Sequence, residues 1–181
     1  MIVTLAISLI LVVVAGLLIS AETAISRISR SRVEDLEDTK VSLRLLSVLD
    51  DRPRYVNVLL FVSTVLSITA FVLASYHGMN WLVEATNLPA LVAFAIVASV
   101  LVVISYIGLG VAPRTLGRMH SEKIALASAG PAKFLAAILG PIATLLIHIG
   151  NALTPGKGFR QGPFDSQAEL RELVDLASND S

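Results

Sequence analysis

The feature that most constrains this chain is a long uncharged run that ends at a cluster of glycine and proline. No charged side chain occurs between Glu84 and Arg114, a stretch of 29 residues. A helix of about 20 apolar residues crosses the ~30 Å hydrocarbon layer of a bilayer, so this run is long enough to span it. The Gly-Leu-Gly-Val-Ala-Pro-Arg sequence at 108–114 predicts that the helix breaks there and exposes backbone carbonyls under a covering of protein or a water-filled cavity. A plain proline-terminated span is the alternative.

The composition indicates an integral membrane protein without catalytic chemistry. Hydrophobic residues make up 55% of the 181 residues and charged ones 15%, against about 25% charged in soluble domains. Fourteen basic residues balance fourteen acidic ones, so no overall field points to nucleic acid. The absence of cysteine excludes disulfides and thiolate metal sites. Because no phosphate-binding loop, nucleophile elbow or metal-spaced histidine pair occurs, we expect no enzyme activity, no catalytic residue and no bound cofactor.

Three uncharged runs predict three transmembrane helices at about residues 2–24, 55–76 and 89–112. The segment 27–54 between the first two carries seven Lys or Arg and six Asp or Glu. Its apolar residues recur at helical spacing in a stripe made of Val41, Leu45, Val48 and Leu49. This pattern is typical of an amphipathic helix, so we expect a helical hairpin lying against the inner membrane face.

The distribution of basic residues predicts the orientation. Residues 77–88 contain no Lys or Arg, whereas 27–54 and 114–133 contain seven and four. By the positive-inside rule the first segment faces outside and the other two face the cytoplasm. The N-terminus is therefore expected outside and the C-terminus in the cytoplasm of a multi-pass protein.

A fourth apolar run leaves two interpretations open. Residues 134–156 lack charge, but Gly140-Pro141 divides the run in half. We expect kinked juxtamembrane helices over 124–153 in the inner leaflet, with a fourth crossing as the alternative. The remainder, 154–181, is predicted to be a glycine-rich linker and the start of a cytosolic helix. The expected fold is an all-α membrane protein of three transmembrane helices, a cytosolic helical hairpin and a kinked juxtamembrane helix.

Oxygen-bearing groups near three helix ends are the candidate ligands for a metal ion. Hard cations such as Mg²⁺ take oxygen ligands. Glu22 lies at the inner boundary of the first span, where a lone carboxylate is costly, although it could instead extend to the membrane surface. The hydroxyls in the second span could line an ion route or simply bond to their own helix. The candidate metal site comprises Ser20, Glu22, Ser63, Ser67 and the carbonyls of Gly108 and Gly110.

Four motifs in this order resemble the CorB/CorC proteins, bacterial relatives of the animal cyclin M proteins and proposed Mg²⁺ exporters. The first is the end of the first span with the basic residues that follow it, and the second is an Asp-x-Pro triplet before the second span. The third surrounds the proline that ends the third span, and the fourth is a Gln-Ala-Glu-Leu-Arg-Glu-Leu helix. They stand here as Ser20–Ser26 with Arg30–Arg32, Asp51–Pro53, Val111–Thr115 with Ser121–Ala125, and Phe164–Val174.

The resemblance implies a cyclin M-type transmembrane domain over residues 1–153, packed as a homodimer in the bacterial inner membrane and truncated before the nucleotide-binding CBS region. The resemblance also implies that Mg²⁺ is the transported ion. The family's third-span acidic residue falls on Gly110 here, so that carboxylate is absent. The alternative is therefore a transport-inactive member that acts as a scaffold or regulatory partner of another membrane protein. We expect the dimer to pack through small and hydroxyl residues of the second and third spans: Ser63, Ser67, Ala70, Ser99, Gly108 and Gly110.

Overall fold

The computed structural model describes residues 2–36 and 39–153, and within these the chain is helical with no strand. The predicted all-α membrane fold is confirmed. The predicted linker and cytosolic helix at 154–181 lie outside the described residues. In chain order the helices are α1 (Ile2–Arg27), α2 (Arg30–Glu34), α3 (Lys40–Leu49), α4 (Arg52–Thr86), α5 (Ala90–Ser105), α6 (Ala112–Met119) and α7 (Ser121–Leu153).

Four helical stretches among the described residues are long and apolar enough to cross a membrane, judged by length and composition alone. They are α1, α4, the continuous stretch Ala90–Met119 that contains α5 and α6, and α7. Helix α4 extends past Tyr76 to Thr86, so the connection to α5 is a short turn at Asn87, whose φ of 53° is left-handed. Asparagine tolerates this conformation better than most residues.

The predicted helix break at 108–114 is wrong. The backbone passes from α5 through a π-helical segment, Tyr106–Val111, and continues as α6. Pro113 is the second residue of α6 and directly follows the π-helical segment, so its missing N–H removes one bond to the preceding turn. The wider π-helical turn therefore accommodates the glycines and the proline without ending the helix.

Helix α7 also runs through its prolines. Pro131 and Pro141 both lie inside it, so the division predicted at Gly140-Pro141 does not interrupt the helical backbone. Its buried face consists of small residues, which let neighbouring helices approach closely. These residues are Ala125, Ala129, Ala132, Ala136, Gly140 and Ala143.

The main core lies at one end of the bundle, where the end of α1, the short helices α2 and α3, the start of α4 and the first half of α7 meet. The predicted stripe on α3 faces this core through Leu45, Val48 and Leu49, while Val41 stays exposed. Arg52 closes the end of α1 by donating to the carbonyls of Ser26 at 3.2 Å and Ile28 at 2.7 Å. A cation at a helix C-terminus satisfies carbonyls that have no intrahelical donor.

Candidate functional site

A cavity of about 400 Å³ opens where α1 and α4 face the π-helical segment. It lies at the end of the first predicted span, next to the main core. Four of the six predicted site residues line it, namely Glu22, Ser63, Ser67 and Gly110. The other lining residues are Ile19, Leu60, Thr64, Ile68, Ser105, Tyr106, Leu109 and Arg114.

Glu22 supplies the carboxylate of the cavity. Glu22 is 7% exposed to solvent. Its two carboxylate oxygens accept long hydrogen bonds, each of 3.3 Å, from the hydroxyls of Thr23 and Ser26. Within the described part of the chain it has no salt-bridge partner. A buried carboxylate held by two weak hydrogen bonds is poorly compensated, and a cation in the cavity would stabilise it.

Three hydroxyl-bearing residues of α4 line the same cavity, and each hydroxyl already donates a hydrogen bond to the backbone of its own helix. Ser63 and Thr64 donate to the carbonyl of Leu60 at 2.9 and 2.8 Å, and Ser67 donates to the carbonyl of Ser63. Sequence reasoning leaves open whether these hydroxyls bond to their own helix or line an ion route. The structure shows the bonds to the helix, and the same three residues line the cavity. A hydroxyl that donates to its own helix keeps its oxygen lone pairs for another partner, such as a metal ion.

Gly110 brings the π-helical segment to the cavity wall. A side chain built there would meet only ordinary contacts, with Ser105 O at 3.8 Å and a Tyr106 ring carbon at 4.0 Å from its Cβ. The position is therefore spacious, and neither sterics nor backbone conformation requires glycine. Segments of π-helix occur often at functional sites, because the shifted hydrogen-bond pattern changes which carbonyls are satisfied.

The other two predicted residues do not line the cavity. Ser20 donates its hydroxyl to the carbonyls of Gly16, at 3.1 Å, and Pro113, at 2.9 Å. The carbonyl of Gly108 lies 3.3 Å from where a Cβ on Gly16 would stand. Both residues instead join α1 to the third membrane helix, beside the cavity.

Sequence reasoning missed Ser105 and Arg114 as cavity residues, whereas Thr64 is one of the second-span hydroxyls for which it considered an ion route. Arg114 follows Gly110 by four positions and so shares its helix face, which is a signal that the sequence does contain. Among the described residues no cluster of three or more His, Cys, Asp or Glu could hold a metal ion. Any metal here would therefore bind to one carboxylate together with neutral oxygens and water.

Comparison with known proteins identifies the family. The model of the cyclin M transmembrane N-terminal domain matches residues 6–180. The chain belongs to the cyclin M family. Two curated relatives are the UPF0053 protein Rv2366c of Mycobacterium tuberculosis and the UPF0053 protein Mb2387c of Mycobacterium bovis. Each is 41% identical over 177 residues, which cover 94% of this chain and 38% of the relative.

The family assignment confirms the resemblance read from the four motifs. This cyclin M domain is a multi-pass membrane protein of a bacterial family. It spans 38% of the length of the relatives that it matches.

Proposed function

We propose that this cyclin M domain moves a divalent cation, Mg²⁺, across the membrane. The observation that carries the proposal is the cavity, which is lined both by Glu22 and by the hydroxyl-bearing residues Ser63, Thr64 and Ser67. Mg²⁺ prefers oxygen ligands and keeps several of its waters, usually binding through one or two carboxylates. A cavity of about 400 Å³ has room for a partly hydrated ion, since each water occupies about 30 Å³.

The second candidate is a family member that no longer transports and serves as a scaffold or regulatory partner. Two observations favour it. Gly110 leaves the cavity with a single carboxylate, and Arg114 places a positive charge in the same space. Fewer anionic ligands weaken divalent binding, and a nearby cation repels the ion.

We propose that the basic segments 27–54 and 114–133 face the cytoplasm. We also propose that α7 lies along the cytoplasmic boundary of the membrane and does not cross it. Polar contacts support this along the first half of α7: Glu122 bonds Arg32 at 2.8 Å, and Lys133 bonds Ser47 at 2.9 Å. Farther on, the Arg54 guanidinium lies 3.5 Å from the Cβ position of Gly140. The described residues of α7 that follow, 141–153, are uncharged and cover roughly 20 Å as a helix, short of the ~30 Å core.

A homodimer forms part of the proposal, through only part of the surface expected from the sequence. Ser63 and Ala70 are already buried inside the chain, at 2% and 0% exposure, so they are not available to a partner. Helix α5 buries only Ala93, and an apolar groove containing Ser99 runs along its outer face. The rest of the described chain leaves this face uncovered, so a second copy can pack against it.

Flux measurements on the full-length protein in liposomes test the transport proposal. We expect Mg²⁺ flux above that of protein-free liposomes, and loss of that flux in Glu22→Gln, which keeps the shape and removes the charge. Glu84→Gln is the matched control, because Glu84 is an exposed carboxylate near the C-terminal end of α4 and does not line the cavity. A wild-type rate equal to the protein-free rate would favour the scaffold, and undiminished flux in Glu22→Gln would contradict the assigned site.

A further inference from the structure

Two opposite charges line the candidate cavity, Glu22 on α1 and Arg114 in the first turn of α6. No other Lys, Arg or His among the described residues lines it. Arg114 is exposed and forms no salt bridge within the described chain, so its side chain is not committed to another acidic group. It is therefore the one basic side chain of the described residues that shares this cavity with the Glu22 carboxylate.

The backbones that carry these two residues are held together closely. Ser20, two residues before Glu22, donates to the carbonyl of Pro113, the residue before Arg114, at 2.9 Å. One turn later a Cβ on Gly117 would stand 2.5 Å from the carbonyl oxygen of Ser20, so the two helices are in direct backbone contact. The relative position of the two charges is thus fixed at their bases, and only side-chain rotation changes their separation.

Electrostatics favours a pairing of these groups when the cavity holds no metal ion. An ionised carboxylate that is 7% exposed and accepts only two 3.3 Å hydrogen bonds pays a desolvation cost that a nearby guanidinium offsets. A divalent ion on the same carboxylate removes the need for Arg114 and repels it. The two cations therefore compete for one anionic ligand.

We propose that Arg114 is a tethered counter-cation, which pairs with Glu22 in the ion-free cavity and is displaced when a divalent cation binds. The displacement step rests on the proposed function, whereas the pairing does not. If the pair is formed about nine-tenths of the time, the apparent affinity for the ion falls about tenfold. Arg114 would thus set the affinity of the site and assist release of the ion.

The pairing is tested without any transported ion, by thermal unfolding of the full-length protein in lipid nanodiscs with a chelator. We compare wild type, Arg114→Gln, Glu22→Gln and the double variant. We expect Arg114→Gln to lower the Tm, and to lower it less in the Glu22→Gln background, where no carboxylate needs compensation. Arg118→Gln is the matched control, since Arg118 lies one turn later on the same helix and does not line the cavity. Equal effects of Arg114→Gln in both backgrounds would overturn the proposal.

Displacement is tested by titrating the same proteins with MgCl₂ and following the Tm. We expect Arg114→Gln to need about one-tenth of the wild-type Mg²⁺ concentration for half of its shift. If Arg114→Gln does not fold, Arg114→Met takes its place in the titration, because it also removes the charge. An unchanged or higher requirement overturns the displacement step. Flat titrations of every protein, with the coupling in chelator intact, would refute the proposed function and displacement together and leave a static ion pair.

Discussion

The hydroxyl of Ser20 donates to the carbonyl of Pro113 at 2.9 Å, across 93 positions of the chain. The same hydroxyl lies 3.1 Å from the carbonyl of Gly16, so it is shared between its own helix and the first turn of α6. The bond joins α1 to the third membrane helix immediately after the π-helical segment. It thereby positions one wall of the cavity against the other.

We predict that Ser20→Ala destabilises the protein by about 0.5–1.5 kcal/mol, because one interhelical hydrogen bond is lost. Ser8→Ala is the matched control, since Ser8 is also buried on α1 but donates only to Thr4 of its own helix. That control should change stability by less than about 0.5 kcal/mol. Denaturant unfolding in mild detergent measures both, and equal losses would show that the bond to Pro113 contributes nothing specific.

Gly117 marks the closest approach of α1 and α6. A Cβ added there would lie 2.5 Å from the carbonyl oxygen of Ser20 and 2.8 Å from Cβ of Thr23, both rigid groups. We predict that Gly117→Ala forces the helices apart and costs about 1–3 kcal/mol, with a matching loss of flux. Gly108→Ala is the control, because nothing lies within 4 Å of its Cβ position and alanine favours helical backbone by about 1 kcal/mol. A Tm for Gly117→Ala at or above that of wild type would contradict the close packing.

The fold followed from the sequence where one property dominates. Long uncharged runs separated by charged segments identified the membrane helices, since burying charge in lipid is costly. Local geometry was harder to predict. Gly108, Gly110 and Pro113 have the composition of a helix break, but the segment stays helical through a π-helical turn. Helix α1 packs against it, with the Ser20 hydroxyl donating to the carbonyl of Pro113. Such a contact joins residues far apart in the chain and leaves no local pattern.

Part of the candidate site could also be predicted from the sequence. Ser63 and Ser67 are four residues apart, so spacing predicts that they share a face of one helix. Glu22 stands out as a carboxylate at a membrane boundary, but its meeting with that face depends on how α1 and α4 pack. Sequence reasoning places Ser20 and the carbonyl of Gly108 in the same site because both offer oxygen ligands near a helix end. Their actual contacts, with Pro113 and Gly16, depend on how α1 and the third helix are rotated, which hydropathy does not specify.

The orientation is a prediction that the cysteine-free chain makes simple to test. Single cysteines at Asn87 and Asp165 would be the only reactive thiols in the chain. We predict that an impermeant thiol reagent applied to intact cells labels the cysteine at Asn87 and spares the one at Asp165 until the membrane is permeabilised. The physical basis is the excess of Lys and Arg in 27–54 and 114–133 over 77–88. External labelling at Asp165 would mean that α7 crosses the membrane, making four spans.

Gly110 offers the sharpest test between transporter and scaffold. Its Cβ position has only ordinary contacts at 3.8 and 4.0 Å, and the residue lines the cavity, so a longer side chain can enter the space beside Glu22. We predict that Gly110→Glu restores the third-span carboxylate of the family pattern and tightens divalent binding. A gain of ~1.4 kcal/mol would appear as tenfold lower Mg²⁺ at half of the Tm shift.

Gly110→Gln is the control for that variant, because it fills the same volume without adding a charge. Under the transport proposal, Gly110→Glu alone shifts the Mg²⁺ titration to lower concentration, and Glu22→Gln abolishes the response of the otherwise unchanged protein. Under the scaffold proposal neither substitution matters, since there is no cation response to change. Flat, superimposable titrations of wild type, Gly110→Glu and Glu22→Gln would therefore reject transport through this cavity and leave partner binding as the function to pursue.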